Sequence, residues 1–185
     1  MGGLHARKVL AECAIVNGET TDVARSYDEF TGVFMTTTFR SLSDLTEQLR
    51  ADGVPHEANE GQVWLPVEEG ELRTTAMILW PADVALLQVV IPLPFQSSEP
   101  HLPGLHEALA RLNHALIVPG FGLDHEHAQP YFRIVQPRAV DGSVELQDVQ
   151  RALGTAVRTA AQFGGLLQGV AIGELAPGAV TDGLA

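Results

Sequence analysis

Three apolar runs, Gln62 to Val67, Leu72 to Trp80 and Val84 to Leu93, follow one another with only the turn-prone Glu68-Glu69-Gly70 and Pro81-Ala82-Asp83 segments between them. A parallel crossover takes roughly a dozen residues or more, so connections this short force neighbouring strands to run antiparallel. The runs therefore predict an antiparallel meander. The third run, VALLQVVIPL, is apolar at nearly every position. Such a strand is expected at the centre of a sheet covered on both faces, or at a subunit interface.

Helical signals bracket this meander. Ser41 followed by Asp44 has capping-box spacing, and Leu42, Leu45 and Leu49 then mark one helical face until Gly53 and Pro55 stop it. Leu105, Leu109, Leu112 and Leu116 recur at helical spacing, which predicts a second helix from near Pro103 to before Pro119. Two further strands, Ile117 to Leu123 and Tyr131 to Gln136, form a hairpin around Asp124 to Pro130. Gly142-Ser143 then opens a last helix whose buried stripe includes Val149, Leu153, Ala156, Val157, Ala160 and Phe163. The fold class expected is α+β: a five-stranded antiparallel sheet with three helices in the order α-β-β-β-α-β-β-α.

The two ends read differently. Residues 1–40 show no sustained helical or strand period and are expected to be a weakly ordered extension, while Gly173 to Ala185 has the composition of a tail. That leaves one α+β domain over residues 41–172, in keeping with a chain of 185 residues. Cys13 is the only cysteine, so no intrachain disulfide forms. No secretory signal and no apolar run of the roughly 20 residues that cross a bilayer are legible, and a soluble cytoplasmic protein is expected.

Charge narrows the partners. The net charge is −12, and Lys8 is the only lysine. Direct nucleic-acid binding requires basic patches that release counterions, and this field opposes it. A basic protein would instead be drawn in, and Asp44, Glu47, Asp52, Glu57, Glu60, Glu68, Glu69 and Glu71 form the candidate steering face.

Chemistry-bearing patterns are few. His125 and His127 flank Glu126, with Asp124 and His114 nearby, and these are the metal-ligand residue types that cluster in the chain. They fall in a turn between strands, so a polar turn is the expectation and no metal or other cofactor is assigned. No Gly-x-Ser-x-Gly elbow, phosphate loop or dinucleotide fingerprint is present, and an enzyme is not expected. Gly120 and Gly122 are read as positions where a strand bends or approaches a neighbour closely.

The element order, the Leu112-Asn113 ending of the second helix and the Gly120-Phe121-Gly122-Leu123-Asp124 strand together resemble the YbjN-like branch of the type III secretion chaperone-like fold, over Ser41 to Ile172. The resemblance implies a homodimer that binds other proteins, has no catalytic site and no obligatory cofactor, and dimerises through the second helix and the strands after it. Leu116, Val118, Phe121, Leu123, Tyr131 and Ile134 are the candidate dimer or partner residues. The function expected is that of an acidic, dimeric, chaperone-like module that captures a protein partner, such as a basic nucleic-acid-binding or stress-response factor. A small-ligand or metal-sensing domain is the alternative.

Overall fold

Gly61 and Gly70 both take positive φ, 89° and 57°, the left-handed conformation that tight hairpin turns demand. Around them the chain folds into the antiparallel meander. A computed structural model describes residues 37–182 and 184; the segment read as an N-terminal extension lies outside the described residues except for its last four positions.

The described chain opens with β1 (Thr38–Phe39) and α1 (Leu42–Ala51), then β2 (Glu57–Asn59), β3 (Gln62–Glu69), β4 (Leu72–Leu79) and β5 (Leu86–Pro92). There follow α2 (Leu102–Ala115), β6 (Phe121–Asp124), β7 (Gln129–Pro137), β8 (Val144–Glu145) and α3 (Leu146–Ala171). The main sheet is six-stranded and antiparallel in the order β2-β3-β4-β5-β7-β6, while β1 and β8 pair separately.

Three helices with an antiparallel sheet match the expected class, but the five-strand expectation is corrected to six. The added strand β2 is Glu-Ala-Asn, exposed throughout, so no apolar alternation marks it. The strand expected from Ile117 begins only at Phe121. Pro119 interrupts the approach, and Ile117 is 99% exposed in the connection. Gly142 and Ser143 do not open the last helix either. They turn the chain into β8, with the Ser143 hydroxyl donating to Asp141 Oδ1 at 2.6 Å, and α3 starts after Glu145.

The capping box forms as its spacing requires: Ser41 Oγ accepts from the Asp44 N–H at 3.2 Å, and Asp44 Oδ2 accepts from the Ser41 N–H at 3.1 Å. Leu45 and, along α3, Val149, Ala156, Val157, Ala160 and Phe163 are buried, and Leu153 packs against the core. The helices cover one sheet face, whose inward row includes Val63, Ile78 and Val89 in direct register, with Ile91, Phe132 and Phe121 beside it. The C-terminal segment makes a short 3-10 turn, Pro177–Thr181, against α2, with Val180 buried.

Each lateral edge of the sheet is interrupted at one position. The Trp80 N–H donates to the Gly61 carbonyl at 2.9 Å, which directs the backbone groups of Pro66 and Glu68 away from β4. Strand β2 stops opposite Trp64, so Pro66 stands on the open edge, where it offers no N–H to an incoming strand. At the opposite edge the Arg133 N–H donates to the Gly120 carbonyl at 2.9 Å, which turns the Phe121 backbone outward, toward α2. Asn113 of α2 takes up those groups. Its Nδ2 donates to the Phe121 carbonyl at 2.8 Å, and its Oδ1 accepts from the Gly120 and Phe121 N–H groups at 3.1 and 2.9 Å.

Candidate protein-docking surface

Side chains alternate across a strand, so burying Val63, Leu65, Ile78, Val89 and Phe132 beneath the helices sends their neighbours to the other face. That outer face is apolar at its centre. Trp64, Met77 and Val90 lie side by side on β3, β4 and β5, and Leu79, Leu86, Tyr131 and Val135 surround them. Val90 is only 7% exposed yet is not part of the core cluster, because its cover comes from side chains of its own face. None of the helices or strands described crosses this face. Trp64, Met77, Leu79, Leu86 and Tyr131 are half-buried there, and Val135 is exposed.

The register extends the central row to charged residues at both ends. Glu57 pairs with Trp64, Trp64 with Met77, Met77 with Val90, and Val90 with Arg133. Glu57 and Arg133 are both exposed, and neither has an ion-pair partner among the described residues.

The residues singled out from the sequence are divided among different surroundings. Phe121 is 6% exposed and stacks edge-on against Phe132 and Phe163, with ring centroids 4.8 and 6.0 Å apart. Leu116, Leu123 and Ile134 are half-buried and pack against the same core. Val118 is exposed in the connection before β6. Tyr131 lies on the outer face, its ring over Gly122, where a Cβ would come within 2.5 Å of the phenol. Gly120 has a comparable reason to lack a side chain, since a Cβ there would collide with the Arg133 carbonyl oxygen. Trp64, Met77, Leu79, Val90 and Val135 were not among the candidate contact residues. The signal available was the consecutive Val89-Val90-Ile91, which leaves an apolar residue on each face of β5.

The acidic residues singled out lie on α1, on the β2–β3 hairpin and at the β3–β4 turn. Asp44 is engaged in the capping box, where N–H donation from Arg40 and contact with Ser41 hold its carboxyl below the ordinary range. Asp52 accepts from Gln48 Nε2 at 3.0 Å, and Glu47 is exposed on α1. Glu57 and Glu60 stand at one end of the β2–β3 hairpin. Glu68 pairs with Arg73 at 2.9 Å on the outer face. Glu69 and Glu71 line a groove of about 700 Å³ between the β3–β4 turn and α3, opposite Phe95, Gly165 and Leu166.

The histidines do not converge. His127 Nδ1 meets Asp124 Oδ2 at 2.7 Å, which raises the imidazole pKa and lowers that of the carboxyl. His125 stacks instead on His106 of α2, with centroids 5.4 Å apart. Among the described residues no group of three or more His, Cys, Asp or Glu side chains could hold a metal ion. Nor is any described helix long and apolar enough to cross a membrane.

The family model YbjN, described as "Putative bacterial sensory transduction regulator", matches residues 41–168. That span covers more than two-thirds of the 185 residues. No significant match was found among curated proteins or solved structures.

Proposed function

The chain belongs to the YbjN family, and from that premise we propose that it is a non-catalytic regulatory module, a cytoplasmic homodimer that captures a basic protein partner in a chaperone-like way. The observation that carries this reading is the apolar outer face of the sheet, centred on Trp64, Met77 and Val90. A domain gains from covering such a surface, at about 25 cal/mol for each Å² of apolar area removed from water, and another polypeptide is the natural cover. The net charge of −12 supports a basic partner. Glu69 and Glu71, which have no ion-pair partner among the described residues, give it a landing point beside the groove on α3.

Affinity capture from the native cell extract, at low and high salt, tests the partner claim, and light scattering tests the dimer. A basic protein should be recovered, and its association should slow as salt screens the acidic field. Recovery of a metabolite or metal with no protein above background would overturn the reading. It would favour a small-ligand sensor instead, a role for which the groove of about 700 Å³ is large enough.

A further inference from the structure

Across five neighbouring strands the outer face reads acid, apolar, apolar, apolar, base: Glu57, Trp64, Met77, Val90, Arg133. Met77, on β4, is the midpoint. Turning the row end for end about that midpoint places Trp64 over a valine, Met77 over a methionine and each terminal charge over its opposite. An interface of this kind is isologous: the same patch serves on both sides, with residue i meeting j and j meeting i. We infer that a second copy of this chain docks face to face on the open side of the sheet, about a two-fold axis running along β4 at Met77. This rests on the homodimer proposed above. It places the seam on the sheet face rather than on α2 and β6, where the sequence resemblance would put it.

The charges choose the axis. A two-fold along the strands brings Glu57 over Arg133 of the second copy, whereas a two-fold across the strands stacks Glu57 on Glu57 and Arg133 on Arg133. Only the first arrangement is attractive, and like charges brought together at an interface are strongly disfavoured. In the adjacent row the same axis sets Leu79 on Leu79 and Gln62 on Gln88, while at the row's ends Asn59 meets Val135. Aligned sheets pack about 10 Å apart with strands within about 30° of each other, a gap that Trp and Met side chains fill.

The face also suits a second copy better than a single inserted strand. Pro66 lacks an N–H and Asn113 takes up the Phe121 backbone groups, so each edge is interrupted for an incoming strand at one position. Five strands span about 19 Å at the usual strand spacing, and the paired length of β3 and β4 adds about 25 Å in the other direction. A footprint of that size falls at the low end of specific interfaces. The dimer is therefore reversible and strengthens with concentration.

The experiment is a charge swap on the full chain, read by sedimentation from low micromolar to the highest soluble concentration. Glu57 and Arg133 are exposed, so Glu57→Arg and Arg133→Glu should leave the circular dichroism spectrum unchanged. Each single reversal converts two attractive pairs per dimer into repulsive ones and should weaken association about tenfold. The double variant, Glu57→Arg with Arg133→Glu, should restore it. A wild-type dimer indifferent to both single changes would overturn this seam and leave the homodimer standing, as would single variants that the double change fails to rescue. A wild-type chain that stays monomeric would overturn both. If Trp64 of that monomer were shielded from acrylamide, another segment of the same chain would be the cover.

Discussion

Replacing Asn113 by alanine removes the side chain that joins α2 to the start of β6. Three hydrogen bonds disappear together: Nδ2 to the Phe121 carbonyl at 2.8 Å, and the Gly120 and Phe121 N–H groups to Oδ1 at 3.1 and 2.9 Å. A hydrogen bond contributes about 1 kcal/mol net, and a buried group left without a partner costs more. The site is partly buried, so water recovers some of the loss, and Asn113→Ala should destabilise the domain by about 2–3 kcal/mol. For a domain of this size that corresponds to about 5–10 °C in Tm. Urea denaturation gives the free energy, and hydrogen exchange at the Phe121 amide localises it. Asn113→Asp is the informative companion. Its carboxylate keeps the acceptor for both amides but sets a lone pair against the Phe121 carbonyl. That repulsion raises the folded-state pKa of the new carboxyl, so the variant should recover stability as pH falls and the protonated acid donates to Phe121. A loss below about 1 kcal/mol for Asn113→Ala, or unchanged Phe121 exchange, would refute the assignment of Asn113 as the clasp on this edge.

Glycine substitutions should have opposite signs. Gly120→Ala drives a Cβ into the Arg133 carbonyl oxygen and should destabilise the domain by about 3 kcal/mol. Gly165→Ala, on α3 with nothing within 4 Å, should stabilise it by about 0.5–1 kcal/mol, both read by urea denaturation. The Asp124–His127 contact should show in an NMR titration as a His127 pKa above the ordinary imidazole value, returning toward it in Asp124→Asn. Because His127 is raised and Asp124 lowered, the pair's contribution is fully present between about pH 4 and about pH 6.5. It fades as pH rises through the folded His127 value or falls through the folded Asp124 value. Chelator treatment should leave Tm unchanged, and a drop in Tm reversed by Zn²⁺ would refute the polar-turn reading of His125 and His127.

Much of the local structure was legible because its causes are local. Ser41 and Asp44 announce the start of α1 by their spacing, and the leucines at 105, 109 and 112 mark the buried side of α2 by their period. Elements with no apolar pattern of their own, or specified by a distant partner, were not legible. Strand β2 is polar and owes its conformation to the hairpin at Gly61, and β1 and β8 hold only two residues each. Asn113 could be seen near the end of a helix, but its bonds reach seven and eight residues onward and depend on how β6 is placed. The outer row is harder still. Glu57, Trp64, Met77, Val90 and Arg133 are scattered over the sequence and become neighbours only when register is set across five strands. The same register explains why Phe121, a candidate for contact with another chain, faces inward while Tyr131, one position before its cross-strand neighbour Phe132, faces outward.

Pro66 and Asn113 stand at opposite edges of the sheet, and both bear on the kind of assembly proposed for this chain. A sheet with open edges can add strands on either side without limit, the route by which soluble domains polymerise into fibres. Here each margin is interrupted at one position, and in the dimer proposed above a two-fold contact would consume the flat face on both copies. The assembly proposed above would then close at two. In that arrangement the apolar face would meet one further copy and no more.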